Sequence, residues 1–284
     1  MKYLKLMRVF HYTKNILIFL PLVFSGNLFN ITMLIDCMLA FLAFSFMTSV
    51  VYITNDISDI QQDKMHPKKR ERPLASGAIT IANANILRIV LFIVAVILSL
   101  LSSKYHILAN AILGLYFILN WMYSKGLKNQ PLVDVAILAT GFVLRVLYGS
   151  AINDIVVSNW LYLTIITFAF YLGLGKRRNE FRNLKGNDDT RKVLKQYNYE
   201  FLNNNMYMCL TSGIIFYALW TLDSPSTNVL IWTVPLLILV VMKYNLIIEG
   251  ASDGDPVEVL LSDKLLLGLV LLVGCIMLFG VYGV

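Results

Sequence analysis

A nine-helix, all-α polytopic membrane protein is predicted from three features of the sequence. Of its 284 residues 58% are hydrophobic and only 14% charged, with a mean hydropathy of +0.69; an ordinary soluble domain carries about 25% charged residues. The apolar residues fall in runs near the ~20 needed to cross about 30 Å of hydrocarbon. The cations collect in alternate connections between those runs. A soluble globule of this composition would leave large apolar patches in water, which excludes the soluble-enzyme, disordered and disulfide-framework classes. Cys37, Cys209 and Cys275 lie inside apolar runs without paired or metal-ligand spacing, and read as small packing residues.

In order along the chain, the expected spans are Asn15–Leu28, Thr32–Thr54, Ala82–Leu101, His106–Tyr123, Leu132–Ile152, Trp160–Leu174, Met206–Leu222, Val229–Ile247 and Leu265–Val284. The first is short and contains Pro21; the third and fifth each carry a cation, Arg88 and Arg145. Met1–Lys14 is basic and leads straight into the spans, so no cleavable signal is expected. Residues 1–284 read as a single transmembrane domain.

Charge orients the spans. With a cytoplasmic N-terminus, segments 1–14, 55–81, 124–131, 175–205 and 243–264 face inward and hold 21 of the 24 Lys and Arg residues. The positive-inside rule predicts that asymmetry. The net charge of +7 is therefore a matter of orientation and of what the inner loops bind, and no nucleic-acid partner is called for. The expected location is the plasma membrane. Two inner loops, after the second and sixth spans, are longer than connection requires and crowded with ionisable groups, as functional loops are.

The first loop contains Asn55-Asp56-x-x-Asp59-x-x-x-Asp63. If the second span continues as a helix, the three carboxylates share one face. Like charges so placed at a membrane boundary repel unless a cation sits among them, and an oxygen-only set with Asn55 suits Mg²⁺, completed by substrate phosphates. The alternative is a solvated helix end with its acids paired to Lys64, Lys68 and Arg72. The basic run that follows at once, Lys68, Lys69, Arg70 and Arg72, favours Mg²⁺ and a departing diphosphate.

This string after the second of nine helices resembles the first motif of the UbiA superfamily of intramembrane prenyltransferases. The resemblance implies a UbiA-type bundle with active-site loops at its cytoplasmic end, binding Mg²⁺ and a donor diphosphate. Typical members carry a second aspartate motif after the sixth helix. Here that place reads Gly175-Lys176-Arg177-Arg178-Asn179-Glu180-Phe181-Arg182, a cluster suited to phosphate oxygens; read as a stop signal it would explain the charge but not the neighbouring glycines.

Further blocks resemble one branch of the superfamily. They are Met7-Arg8 to Lys14-Asn15, Pro21 to Ser25, Asn55 to Gly77 with His66-Pro67 and Arg72-Pro73, and Tyr123-Ser124-x-x-Leu127-Lys128. Asp134-Val135, Gly141 to Arg145, Arg191-x-x-Leu194-x-x-Tyr197, Gly254-Asp-Pro256-x-Glu258 and Asp263-Lys264 complete the set. The branch implies a phosphoribosyl pyrophosphate donor and a polyprenyl (decaprenyl) phosphate acceptor, in synthesis of a cell-envelope arabinose or related sugar donor. Asn55, Asp56, Asp59 and Asp63 are then the metal ligands, with Asn55, Asp56, Asp59 and Lys68 the catalytic set. Lys14, Tyr52, Arg70, Arg72, Tyr123, Lys128, Arg145, Lys176, Arg177, Arg178 and Glu180 are the substrate-binding candidates. Arg145, deep in a span, is a functional candidate by default; paired with Asp134 or a carbonyl it would be structural. Lys14, at the membrane edge, reads as a snorkelling anchor first and a phosphate ligand second. The runner-up is prenyl transfer from a prenyl diphosphate to an aromatic acceptor, and a carrier or flippase is the reading from another class; self-association is left open.

Overall fold

The structure, a computed structural model, describes residues 1–65, 69–102, 106–182, 192–250 and 256–283, and these are nearly all helical. Helix α1 (Lys2–Met7) stops because Arg8 turns left-handed (φ 53°, ψ 48°), its amide closing on the carbonyls of Leu4 and Lys5. That C-terminal conformation is ordinarily glycine's. A tight 3-10 segment, Val9–Phe19, follows and passes into α2 (Leu20–Phe24). Next come α3 (Ile31–Ser58), capped by the Asn30 side chain on the Met33 amide, α4 (Ile60–Met65), and α5 (Ile81–Leu101), capped by Thr80 on Asn83. Helices α6 (His106–Lys125), α7 (Val133–Asn153), α8 (Asn159–Arg182), α9 (Tyr199–Asp223), α10 (Thr227–Leu230), α11 (Thr233–Ile248), α12 (Pro256–Ser262) and α13 (Lys264–Tyr282) complete the chain. Asp263 caps α13; bonds from the Leu266 amide and Lys243 hold its carboxyl below the ordinary carboxylate range.

Seven of these helices are long and apolar enough to cross a membrane: Ile31–Ser58, Ile81–Leu101, Ile107–Lys125, Val133–Asn153, Tyr199–Asp223, Thr227–Ile248 and Lys264–Tyr282. They match seven of the nine expected spans. The expected sixth, Trp160–Leu174, is helical within α8, which runs on for eight residues into the cationic cluster. The expected first, Asn15–Leu28, is replaced by an apolar helical stretch shifted toward the N-terminus, Val9–Phe24, shorter than the other seven. Because a 3-10 helix rises about 2.0 Å per residue against about 1.5 Å for an α-helix, those residues still reach about 30 Å, the thickness of the hydrocarbon.

The described residues fall into two compact units. The first comprises Met1–Val23, Asn27–Leu127 and Leu144–Val156. Its core gathers Phe44, Met47, Ile53, Leu113, Tyr116 and Tyr148. Gly149 lets α7 lie against the entry segment, since a Cβ there would collide with the Ile18 carbonyl. Close backbone approach over small residues is the usual device of helix packing in membranes. Ile86, Ile89, Ile93 and Ile97 on α5 stay exposed, in positions lipid would cover.

The second unit comprises Phe24–Gly26, Lys128–Val143 and Val157–Val284. Helices α8 and α9 pack tightly around Val135, Tyr171, Leu174, Leu202 and Met206. A Cβ on Gly173 would touch Val135 at 3.0 Å, and one on Gly213 would press on Phe168 and Thr167 at 3.1–3.2 Å. Cys37 is buried, Cys209 half-buried and Cys275 exposed, and all three are free thiols.

Candidate active site

The acidic motif is not one uninterrupted helix. Helix α3 carries Asn55 and Asp56 and ends at Ser58; Asp59 leaves helical geometry (φ −101°, ψ 8°) with its amide on the Asn55 carbonyl, and α4 restarts at Ile60 with Asp63 in its first turn. The continuous stripe of three carboxylates expected from the sequence is thus corrected to a pair plus a cap. Asp56 and Asp63, only 2% and 3% exposed, are joined by one arginine. Arg72 Nη1 donates to Asp63 Oδ2 at 2.7 Å and to Asp56 Oδ1 at 3.3 Å. Arg8 Nη2 donates to the same Asp56 oxygen at 2.5 Å, with its guanidinium 4.6 Å above the Tyr52 ring. Asp59, half-buried, stands apart from this pairing in the backbone though it has contacts of its own. The Asn55 side-chain oxygen accepts from the Ser124 hydroxyl.

Among the described residues no three His, Cys, Asp or Glu side chains converge as a ready-made metal cage. The donor chemistry nevertheless fits a divalent cation. A single charged nitrogen already sits between two enclosed carboxylates. Mg²⁺ in phosphate enzymes uses one or two carboxylates and takes its remaining ligands from water and substrate.

Arg145 is buried in the same unit, and its partner is not Asp134. The two lie eleven residues apart on α7, about 16 Å along the axis, too far for any side-chain pair. Arg145 Nε donates to Asn15 Oδ1 at 2.7 Å, and Asn15 Nδ2 in turn donates to Ser45 at 2.9 Å. Phe44 and Tyr116 flank the guanidinium at 5.0 and 5.2 Å, a desolvated cation–π arrangement. Arg70 is exposed in the 3-10 turn Lys69–Glu71; Lys14, Tyr52 and Tyr123 are half-buried. Lys68 and His66 lie outside the described residues.

The cationic end of α8 belongs to the second unit, and its successive residues point different ways, as about 100° per residue requires. Lys176 is half-buried, whereas Arg177 and Arg178 are fully enclosed. Arg177 Nε donates to Asp134 Oδ2 at 2.5 Å and Nη1 to Glu180 at 2.6 Å. Arg178 Nη1 donates to Asn203 at 2.6 Å, and Nη2 lies 2.6 Å from Glu249; its Nε has no hydrogen-bond partner among the described residues. Asp134 also accepts from Tyr197 at 2.7 Å. Burial and that carboxylate push the Tyr197 hydroxyl up to about 12, so it keeps its proton. Lys128 is half-buried in the turn Leu127–Asn129. Sequence reasoning gave no role to Arg8, Asn15, Ser124 or Tyr197, although each stands in a block resembling the family.

Comparison with known proteins places this architecture. The model of the UbiA prenyltransferase family matches residues 17–256. The chain belongs to that family. Among UbiA-type relatives, the decaprenyl-phosphate phosphoribosyltransferase of Corynebacterium glutamicum is 32% identical, over 93% of this chain and 81% of that protein. The enzyme of the same name from Mycolicibacterium smegmatis is 27% identical, over 80% and 74%. A solved UbiA homologue from Archaeoglobus fulgidus, bound to GPP and Mg²⁺, shares the fold with a TM-score of 0.72 at 21% identity, over the whole of both chains. Family and relatives are transferases, and so is this UbiA-type membrane protein.

Proposed function

We propose that the chain transfers a 5-phosphoribosyl group from phosphoribosyl pyrophosphate to a polyprenyl (decaprenyl) phosphate, releasing pyrophosphate and giving polyprenylphosphoryl-5-phosphoribose for a cell-envelope sugar donor. Residues 1–284 act as one UbiA-type transmembrane domain. The observation that carries the reading is the end of α8. A prenyl diphosphate site with a second metal group would need further carboxylates there, and the described acids around it, Asp134, Glu180 and Glu249, are already paired with Arg177, Arg178 and Arg182. Phosphate monoesters need cations instead.

In this reading Asp56 and Asp63, with Asn55 and Asp59, hold Mg²⁺, which when bound shields the pyrophosphate's charge. Arg8 and Arg72, now on the carboxylates, would turn to the pyrophosphate once the cation takes those oxygens; Arg70 and Lys68 supply further positive charge. As the bond from the sugar C1 to the pyrophosphate oxygen breaks, C1 becomes oxocarbenium-like. A lipid phosphate oxygen forms the new bond from the opposite face, with inversion. That oxygen is already ionised, so no side chain has to act as base. Lys176 and Lys128 hold a phosphate in the second unit, Arg177, Arg178 and Glu180 shaping their surroundings.

Mass spectrometry of the lipid product tests this directly. Purified protein given phosphoribosyl pyrophosphate, polyprenyl phosphate and Mg²⁺ is expected to add a pentose phosphate to an intact polyprenyl phosphate. Prenyl chain on an aromatic ring, with no pentose-phosphate lipid, would establish the runner-up instead.

The same reading puts the N-terminus and both charged loops on the cytosolic face of the plasma membrane, supported by the distribution of Lys and Arg. Ser58, exposed at the end of α3, provides the check. A thiol probe should label Ser58→Cys only from the cytosolic side, and labelling from outside intact cells would overturn the orientation. The matching position in the second loop, Asn187, lies outside the described residues.

A further inference from the structure

Asp134 is the meeting point of three chain segments in the second unit. It is fully enclosed on α7, takes Arg177 of α8 on one oxygen and takes Tyr197, at the end of the second loop, on the other. The Tyr197 oxygen, while donating to Asp134, accepts the Leu132 amide at 2.6 Å. Leu132 is left-handed, with φ 66°. A bulky L side chain is strained in that region and persists there only where the surroundings over-determine it. Gln196 adds a weaker tie, its amide nitrogen 3.5 Å from the Asn129 carbonyl. The turn fastened in this way carries Lys128, and the helix fastened by Arg177 carries Lys176 next door.

We infer that Tyr197 is a positioning residue: its hydroxyl, through Asp134 and the strained turn at Leu132, sets Lys128 and Lys176 in the register that receives a phosphate monoester. This rests on the phosphoribosyl-transfer reading above and assigns the geometry of its second phosphate site to residues that do not touch substrate. Arg177 and Asp134 are too enclosed to meet a ligand. A buried ion pair of this kind specifies an arrangement more than it stabilises a fold. Tyr197 adds a single neutral hydroxyl, and without it Asp134 still keeps Arg177 on its other oxygen.

The test uses the whole chain in detergent. Tyr197→Phe keeps the ring, which stacks on Phe201 at 6.0 Å, and deletes only the hydroxyl. The expected result is a rise of about tenfold in KM for one phosphorylated substrate, the effect of a misplaced charged contact, with kcat within about twofold and a fall in melting temperature smaller than that of Arg177→Ala, because Asp134 keeps its cation. Coupling sharpens it: added to Lys128→Ala and Lys176→Ala together, Tyr197→Phe should raise KM no further, because its effect runs through those lysines. An unchanged KM for both substrates, or a full further rise in the lysine-free background, overturns the inference. Should Tyr197→Phe fail to fold, the exposed Gln196→Ala carries the test, with about a twofold rise expected in the same KM and no rise counting against it. Wild-type protein that makes no pentose-phosphate lipid would sink the proposed function itself. In that case the same variants are compared for inorganic phosphate affinity, where weaker binding supports the positioning role and equal binding overturns it.

Discussion

Asp56→Asn should lower turnover by about a hundredfold or more, since the loss of one metal ligand removes a few kcal/mol from a charge-stabilised transition state. The structure sharpens the expectation. Asp56 is enclosed, and one of its oxygens takes two guanidiniums at once. The amide of Asn still accepts from Arg8 and Arg72, so the fold should survive in detergent with a near-wild-type melting temperature. Asp59→Asn is expected to lose a similar factor as a ligand, although it caps α3 instead of sharing the Asp56–Asp63 pairing. Turnover is measured at saturating Mg²⁺ with folding checked by size exclusion. Near wild-type rates in both variants would remove the metal assignment.

The second large effect is on stability. Arg177→Ala leaves Asp134 with no cation on Oδ2 in a fully enclosed position, and breaking one partner of a buried pair costs about 3–5 kcal/mol. The melting temperature in detergent should therefore fall sharply, and the yield of folded protein with it. Read from sequence, the same substitution would be expected to act on substrate affinity, because the residue stands in a cationic run. Lys176→Ala, half-buried, is the contrasting case: about a tenfold rise in KM for a phosphorylated substrate and an unchanged melting curve. If Arg177→Ala melts like wild type and only its KM rises, then Arg177 contacts substrate directly.

That reversal marks what could be read in advance. Composition and run length identify a helical membrane protein because the bilayer imposes one length scale on every span. The Asn55–Asp63 string, too, is legible as a local pattern. The surroundings of Arg177 and Arg178 are not. Their acids come from Asp134, forty-three residues earlier, and Glu249, seventy-one later, and only the folded packing of α7, α8 and α11 selects those partners. Arg145 illustrates the same point, its neighbour Asn15 standing 130 residues away in sequence. The break at Asp59 escaped for a different reason. Helical periodicity alone cannot register a single residue that leaves the helix to cap it.

The tightly wound entry segment works as a vernier against α3. Asn15 meets Ser45, Tyr12 meets Ser49 at 2.7 Å, and Arg8 meets Asp56. On one side the marks fall three and four residues apart, on the other four and seven. Two α-helices ruled with the same divisions would slip out of step: from Arg8 to Asn15 an α-helix advances about 10 Å, while Ser45 to Asp56 advances about 16 Å. Three residues per turn stretches the shorter interval to about 14 Å, and the long arm of Arg8 spans what is left. The winding of this eleven-residue segment is thus what lets one end lock into the bilayer-buried polar network while the other reaches the acidic motif.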